Sequence, residues 1–111
     1  MVKVLVCGGR NFANSYLVLK VLDALSPTEI CHGGASGADS RAGAWAESKN
    51  VPCRVFPADW KSHGRGAGPR RNQQMLEEFK PDFVVAFEGG AGTADMVKRA
   101  TSHFFTVLEV R

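Results

Sequence analysis

Glycine pairs follow three of the apolar runs in this sequence, and each pair comes shortly before a stretch with helical periodicity. They are Gly8-Gly9, Gly33-Gly34 and Gly89-Gly90. Glycine lets main-chain N–H groups approach an anion closely, and a helix N-terminus presents N–H groups that have no partner within the helix. One such loop alone predicts only a tight turn. Three loops that meet at one edge of a sheet predict an anion or nucleotide pocket.

The strongest of these loops is Gly89-Gly90-Ala91-Gly92-Thr93. We predict that Thr93 caps the following helix and offers its hydroxyl to a phosphate oxygen, so that a phosphate lies at Gly90 to Thr93. The full set of predicted ligand-binding residues is Gly8, Gly9, Arg10, Gly33, Gly34, Ala35, Gly37, Asp39, Arg70, Arg71, Gly89, Gly90, Ala91, Gly92 and Thr93.

A basic segment runs from residue 61 to residue 76 and contains no acid. Two of its arginines, Arg70 and Arg71, lie at the predicted start of a helix, where the helix dipole disfavours a cation unless a bound anion compensates. We therefore expect Arg71, together with Arg10, to contact a phosphate or a ribose. On this interpretation Arg71 contributes little to the stability of the ligand-free protein. Trp60 either stacks on a base or covers the edge of the core.

Two carboxylates are candidates for chemistry at the same edge of the sheet. Asp39 falls in the first turn of a predicted helix, where it either stabilises the helix dipole or accepts hydrogen bonds from ribose hydroxyls. Glu88 ends the fourth predicted strand and would meet a ribose, a base or Arg10. Two acids beside one pocket can support cleavage of a glycosidic bond. Arg71, Glu88 and Asp39 are therefore the candidate catalytic residues.

Several classes of site are disfavoured by the sequence. No GxGxxG follows the first apolar run and no GxxxxGK[ST] occurs, so an ordinary dinucleotide site and a P-loop are not expected. The three cysteines, Cys7, Cys31 and Cys53, are far apart and form no CxxC pair. They are interpreted as small buried residues in a reducing compartment rather than as a zinc site with His32. No metal site is predicted.

Length and composition indicate one globular domain over residues 1–111. The chain has 111 residues, a formal net charge of +3, 44% hydrophobic residues and 23% charged residues. No run of about 18 apolar residues is present, so no membrane span is expected. The first residues contain no signal-peptide pattern. We therefore expect a cytoplasmic protein, or one in the host cytoplasm if a phage encodes it.

Apolar runs and helical periodicities alternate along the chain, which predicts an α/β fold. Strands are predicted at 2–7, 28–32, 52–56, 82–87 and 104–110, and helices from 14 or 15 to 25, from 37 to 49, from 69 to 80 and from 93 onward, with a glycine-rich loop at 58–68. Right-handed crossovers then give a single Rossmann-like domain. Its five-stranded, mostly parallel sheet has the order 3-2-1-4-5, with helices on both faces.

Motifs in these loops resemble the SLOG superfamily, which includes the Smf/DprA proteins and the LOG (Lonely Guy) enzymes. The segment from His32 to Asp39 resembles the "GGAxGxD" element, and Gly89 to Thr93 resembles the "PGGxGT" element, with Glu88 in place of the proline. Cys7 to Phe12, together with Phe56 to Trp60, resembles the small stand-alone YspA-type family of bacteria and phages. The resemblance spans nearly the whole chain.

The resemblance implies a Rossmann-like protein that binds a nucleotide or nucleotide-derived ligand, with no other cofactor. LOG enzymes are phosphoribohydrolases that use an arginine in "RKxxM" and a glutamate in "GGxGTxxE". This sequence matches the first pattern at Arg71 and Met75, but Met96 stands where the glutamate belongs, beside Asp95. We therefore predict a nucleotide-binding protein, such as a sensor. The alternatives are a LOG-like nucleoside-monophosphate N-glycosidase and, less favoured, a single-stranded nucleic-acid-binding protein. Whether the chain forms a homodimer is left open, although LOG-like proteins self-associate.

Overall fold

The computed structural model describes all 111 residues. Its elements, in chain order, are β1 (Lys3–Cys7), α1 (Ser15–Leu25), β2 (Glu29–His32), α2 (Ala38–Lys49), β3 (Cys53–Val55), α3 (Trp60–His63), a 3-10 turn (Gly64–Gly66), α4 (Ala67–Phe79), β4 (Phe83–Phe87), α5 (Ala91–Ser102) and β5 (Thr106–Val110). None of the helices combines the length and the apolar character needed to cross a membrane.

All neighbouring strands of the sheet are parallel, in the order β3-β2-β1-β4-β5. The predicted fold class and strand order are therefore confirmed. The order reverses between β1 and β4, and in such a sheet the carboxyl ends of these two strands open a crevice. The register pairs Cys7 with Ala86, so the loops that follow β1 and β4 begin side by side.

Two hydrophobic cores lie on opposite faces of the sheet, because successive strand residues point to opposite sides. Val4 and Val6 pack with α1 and α2, whereas Leu5 and Cys7 pack with α4 and α5. The apolar helix residues buried against the sheet include Val18, Leu22, Ala38, Ala42, Trp45, Ala46, Met75, Leu76, Phe79, Met96 and Ala100. The two helical layers pack against opposite faces of the sheet, and the loops at its carboxyl edge connect the strands to these helices.

The middle of the chain is more helical than predicted. The expected loop at 58–68 contains α3, which Asp59 caps by accepting a hydrogen bond from the Ser62 N–H at 3.2 Å. The next helix begins at Ala67 rather than at Pro69. Arg71 is consequently the fifth residue of α4, beyond the first turn, so the prediction that it lies against the helix dipole was wrong.

Two other predicted boundaries shift. Helix α5 begins at Ala91 with Gly90 as its cap and no side-chain cap, so Thr93 is the third helical residue and not the cap. Strand β5 begins at Thr106 rather than at residue 104. Phe104 lies outside it in a left-handed conformation, with φ of 66° and its side chain exposed. Both shifts come from turns whose geometry the hydrophobic pattern does not encode.

Candidate functional site

A cavity of about 340 Å³ opens at the carboxyl edge of the sheet, where the loops after β1, β2 and β4 meet α3 and α4. Most of the predicted ligand-binding residues line it. These are Gly8, Gly9, Arg10, Gly33, Ala35, Asp39, Arg71, Gly90, Ala91, Gly92 and Thr93. The structure thus brings all three glycine loops to one concave surface, which is the usual form of a small-molecule site.

The other predicted site residues lie outside the lining of this cavity. Gly37 and Gly89 support its walls, Gly34 takes a φ of 76° in the β2 loop, and Arg70 is exposed on α4. Glu88 is also exposed, and it lines two neighbouring cavities instead. Glu88 and Asp39 therefore do not face one common cavity, although both were predicted as its acids.

Close main-chain packing explains two of the glycines. A Cβ on Gly8 would lie 2.5 Å from the Cβ of Ala38, so the β1 loop and the start of α2 touch. Gly37 has a φ of 75°, and a Cβ there would collide with the carbonyl of Gly9. That carbonyl accepts a hydrogen bond from the Ala38 N–H at 3.2 Å. The glycines here allow two main-chain segments to meet, and this contact forms the wall of the cavity.

The N-terminus of α5 points its free N–H groups at the cavity. Its first intrahelical hydrogen bond runs from the Ala94 N–H to the Gly90 carbonyl at 3.0 Å, so the N–H groups of Ala91, Gly92 and Thr93 have no partner within the helix. All three residues line the cavity. Unbonded N–H groups at the positive end of a helix dipole attract an anion.

Arg71 is held in place by hydrogen bonds to the main chain. Its Nη1 donates to the Gly33 carbonyl at 2.6 Å and to the Phe56 carbonyl at 3.3 Å, and its Nε donates to Asn72 Oδ1 at 3.1 Å. A Cβ on Gly33 would occupy the space of the guanidinium. The arginine thereby ties the ends of β2 and β3 to α4. Its Nη2 has no hydrogen-bond partner in the chain. Because every buried side-chain nitrogen has a partner, Nη2 must be accessible to solvent, and Arg71 lines the cavity.

Asn72 is a site residue that the sequence analysis missed. It is 4% exposed, lines the cavity and uses every polar atom of its side chain. Its Oδ1 accepts from Arg71, and its Nδ2 donates to the Gly92 carbonyl at 3.2 Å and to Asp95 Oδ2 at 3.0 Å. Asn72 therefore joins the arginine to the start of α5. The available signal was a polar residue on the face of α4 that otherwise carries Met75, Leu76 and Phe79.

Asp39 is the only acid in the lining of the cavity. It is 5% exposed, and its Oδ2 accepts hydrogen bonds from the Gly33 N–H at 3.0 Å and the Ala35 N–H at 3.2 Å. Burial raises the pKa of Asp39, while the hydrogen bonds from the Ala35 and Gly33 N–H groups and the nearby Arg71 guanidinium oppose that rise. Its Oδ1 has no hydrogen-bond partner in the chain. Because every buried side-chain oxygen has a partner, Oδ1 must be accessible to solvent. Oδ1 is free to accept from a ligand hydroxyl.

The surroundings of His32 and Cys7 indicate structural roles for both residues rather than catalytic ones. The Nδ1 of His32 accepts a hydrogen bond from the Gly34 N–H at 2.9 Å, which requires an unprotonated nitrogen, and burial lowers the pKa of His32. Burial raises the pKa of the Cys7 thiol to about 12, so Cys7 is not a nucleophile at neutral pH. His32 therefore shapes the β2 loop, and Cys7 forms an apolar part of the cavity floor.

Met96 is fully buried in the core between the sheet and α4. A glutamate at this position would need repacking of that core, so the exchange Met96→Glu cannot simply restore a catalytic acid. The adjacent Asp95 does not replace it, because its carboxylate accepts from Asn72 and from Arg99 Nε at 2.8 Å and lies outside the cavity lining.

Trp60 forms the outer wall of the cavity rather than a cover for the core. Its side chain is half exposed and belongs to neither hydrophobic core. The guanidinium of Arg10 lies 5.9 Å from the centre of its ring. A Cβ on Gly68 would contact the far edge of the ring at 3.4 Å, so the ring passes across the start of α4. An aromatic and a cationic side chain thus border the cavity together.

Comparison with known proteins agrees with this architecture. The crystal structure of Acinetobacter baumannii MurG superposes with a TM-score of 0.59 at 15% identity. The match covers 98% of this chain but only 34% of the MurG chain, so the chain spans about a third of that protein and shares its Rossmann-like fold. The Gene 61 protein of Mycobacterium phage D29 is 35% identical over 112 aligned residues, covering 90% of this chain and 89% of the phage protein.

A family model described as the YspA, cpYpsA-related SLOG family (YAcAr) matches residues 2–63. That range contains the loops after β1 and β2, with Gly8, Gly33 and Asp39, and it ends with α3. The resemblance read from the motifs is confirmed by this match and by the phage relative. The chain belongs to the YspA-related SLOG family.

Proposed function

We propose that this protein binds a nucleotide or a nucleotide-derived ligand in the cavity at the carboxyl edge of the sheet, as a sensor or ligand-binding protein. The observation that carries the proposal is one cavity that combines unbonded N–H groups of α5, the free Nη2 of Arg71 and the free Oδ1 of Asp39. The donors suit a phosphate, and the buried acceptor suits a sugar hydroxyl. Membership of the SLOG family supports the same interpretation.

The geometry suggests how such a ligand would lie. A phosphate is best placed at Ala91 to Thr93, where three N–H groups of α5 have no partner within the helix, with Arg71 lining the same cavity. Gly33 links Arg71 to Asp39, since its carbonyl accepts from Arg71 and its N–H donates to Asp39. A ribose attached to the phosphate would then lie next to Gly33, with Asp39 Oδ1 as the acceptor for a hydroxyl.

Glycosidic cleavage is less well supported than binding. Cleavage by two carboxylates needs both acids within several ångströms of the scissile bond, and only Asp39 lines this cavity. We expect that incubation with the four ribonucleoside 5′-monophosphates releases no ribose 5-phosphate at ~1 per second or faster, the turnover of an ordinary enzyme. Chromatography of the released bases measures this directly. Release at such a rate would overturn the binding-only proposal.

Single-stranded nucleic acid is also a weaker candidate. Such binding relies on successive aromatic platforms along a basic groove. Trp60 is the one aromatic residue in the lining of the cavity, and Tyr16, the other strongly exposed aromatic ring on a helix, lies on α1 outside this cavity. A compact ligand that enters one cavity fits these observations better than a chain of nucleotides.

The exchange Gly92→Val tests the proposed site. A Cβ on Gly92 would meet nothing within 4 Å, and Gly92 lines the cavity, so we expect the larger side chain to narrow the cavity at the α5 N–H groups without a collision at its Cβ. Ligand at about 100 times its Kd stabilises a folded protein by about 2.7 kcal/mol. We expect the four nucleoside monophosphates, at millimolar concentration, to raise the melting temperature of the parent protein. The Gly92→Val variant should show no such rise.

The matched control is Ala24→Val, at an exposed position of α1 far from the cavity. It should keep the full stabilisation by nucleotide. Equal stabilisation of the Gly92→Val variant and the parent protein would show that the ligand binds elsewhere. Absence of stabilisation in the parent protein by all four nucleotides would contradict the proposed function itself.

A further inference from the structure

A second cavity of about 270 Å³ adjoins the first on the side of β3. The two cavities share five lining residues, which are Arg10, Gly33, Ala35, Trp60 and Arg71. The second cavity adds Pro57, Ala58 and the turn at Gly34 and Ser36. Both arginines therefore lie on the boundary between two compartments rather than at the end of one.

Charge distinguishes this extension from those on the other side. No acidic residue lines the second cavity. The neighbouring cavities combine cations with carboxylates: one is lined by Glu88 and Arg10, and the other by Glu88 and Glu109 together with Lys98 and Arg111. An anionic ligand that is too long for the first cavity is attracted toward the arginines and repelled by the carboxylates. The ligand would thus extend toward Trp60 and Pro57.

The wall at Trp60 suits a flat ring. The N-cap of α3 at Asp59 fixes the turn before Trp60, whose side chain is half exposed and lines both cavities. Arg10 lies over the ring at 5.9 Å. Nucleobases stack on indole rings and on guanidinium planes, whatever the base. Pro57 gives the compartment a second rigid, apolar side.

We propose that the ligand is of the dinucleotide class, with two ring-bearing halves joined by a phosphate bridge. The phosphate bridge runs from the start of α5 past Arg71 to Arg10, one half occupies the cavity beside Asp39, and the other half lies against Trp60. This inference rests on the proposed nucleotide binding and adds to it the size and shape of the ligand. It assigns the second compartment to a second ring rather than to solvent.

Calorimetric titration with matched pairs of probes tests the proposal. The probes are the four ribonucleoside 5′-monophosphates and the four corresponding symmetric dinucleoside 5′,5′-diphosphates. Because a stacked base adds on the order of tenfold or more to affinity, we expect at least one diphosphate to bind at least about tenfold more tightly than its monophosphate. In the Trp60→Ala variant this ratio should fall to within about threefold of unity.

Two further variants make the result specific. Trp60→Phe keeps a ring and should retain most of the preference for the dinucleotide. Tyr16→Ala removes another strongly exposed aromatic side chain, which lines neither cavity, and should leave both affinities unchanged. Equal affinity of the parent protein for the members of every pair would overturn this inference while leaving nucleotide binding intact. So would a preference that survives Trp60→Ala. Failure of all eight probes to bind would instead refute the proposed function.

Discussion

Replacement of Arg71 by alanine is expected to weaken nucleotide binding about tenfold to a hundredfold, which corresponds to the loss of one or two charge-assisted hydrogen bonds. It should also destabilise the ligand-free protein. The carbonyls of Gly33 and Phe56, both in buried residues, lose their donor, and an unsatisfied buried acceptor costs about 1–3 kcal/mol. A fall in melting temperature of roughly 5–10 °C, measured without ligand, would reveal this second role.

The structure provides a matched control on the neighbouring residue. Arg70 is exposed, makes no hydrogen bond or ion pair and does not line the cavity, although the sequence analysis placed it in the site. Arg70→Ala removes the same charge from the same helix. It should change the affinity by no more than about twofold and the free energy of unfolding by no more than about 0.5 kcal/mol. Loss of affinity from both exchanges would mean that net charge, rather than the fixed guanidinium of Arg71, attracts the ligand.

The exchange Gly37→Ala is expected to unfold or severely destabilise the protein. A Cβ at this position would collide with the Gly9 carbonyl and lie 2.6 Å from the Arg10 carbonyl carbon, and the φ of 75° is strained for any side chain. Main-chain atoms on both sides cannot move aside as a flexible side chain would. We expect a loss of roughly 3 kcal/mol or more in the free energy of unfolding. Denaturant titration followed by circular dichroism measures the loss.

Gly92→Ala is the corresponding control. It adds the same methyl group to another glycine of the site, but the new Cβ would meet nothing within 4 Å and the residue is helical. Because alanine favours a helix over glycine by about 1 kcal/mol, this exchange should leave stability unchanged or raise it slightly. If Gly37→Ala were tolerated equally well, the close approach of the β1 loop to α2 would not be needed for folding.

The fold was predictable because its signals are local. Short apolar runs alternate with helical periodicities such as that of Val18, Leu22 and Leu25, and right-handed crossovers restrict how such elements join. Asn14 accepts a hydrogen bond from the Leu17 N–H at 3.0 Å, as expected for the cap of α1. The helix boundaries that shifted are those set by turns. Both α4 and α5 begin without a capping side chain that the sequence could reveal.

The location of the candidate site was predictable for a related reason. A parallel sheet sends every strand to the same edge, so the three glycine loops had to meet once the strands were recognised. What the residues do there was harder to predict. Arg71 was expected at the dipole of its helix, but α4 begins two residues earlier than predicted, and Arg71 is held by the carbonyls of Gly33 and Phe56. These partners are 38 and 15 residues away in the sequence, and no spacing rule connects them.

Residue types and short-range periodicity were enough to indicate the family, the strand order and the edge of the sheet at which glycines and arginines gather. Three features became visible in the folded chain alone: Asp39 is the acid that lines the cavity, Asn72 links Arg71 to α5, and Trp60 is a wall shared by two compartments. These contacts join residues that are far apart in the sequence, such as Arg71 with Gly33 and Asn72 with Gly92. The hydrophobic pattern places Met75, Leu76 and Phe79 of α4 against the sheet, but it does not specify which polar groups the neighbouring side chains meet.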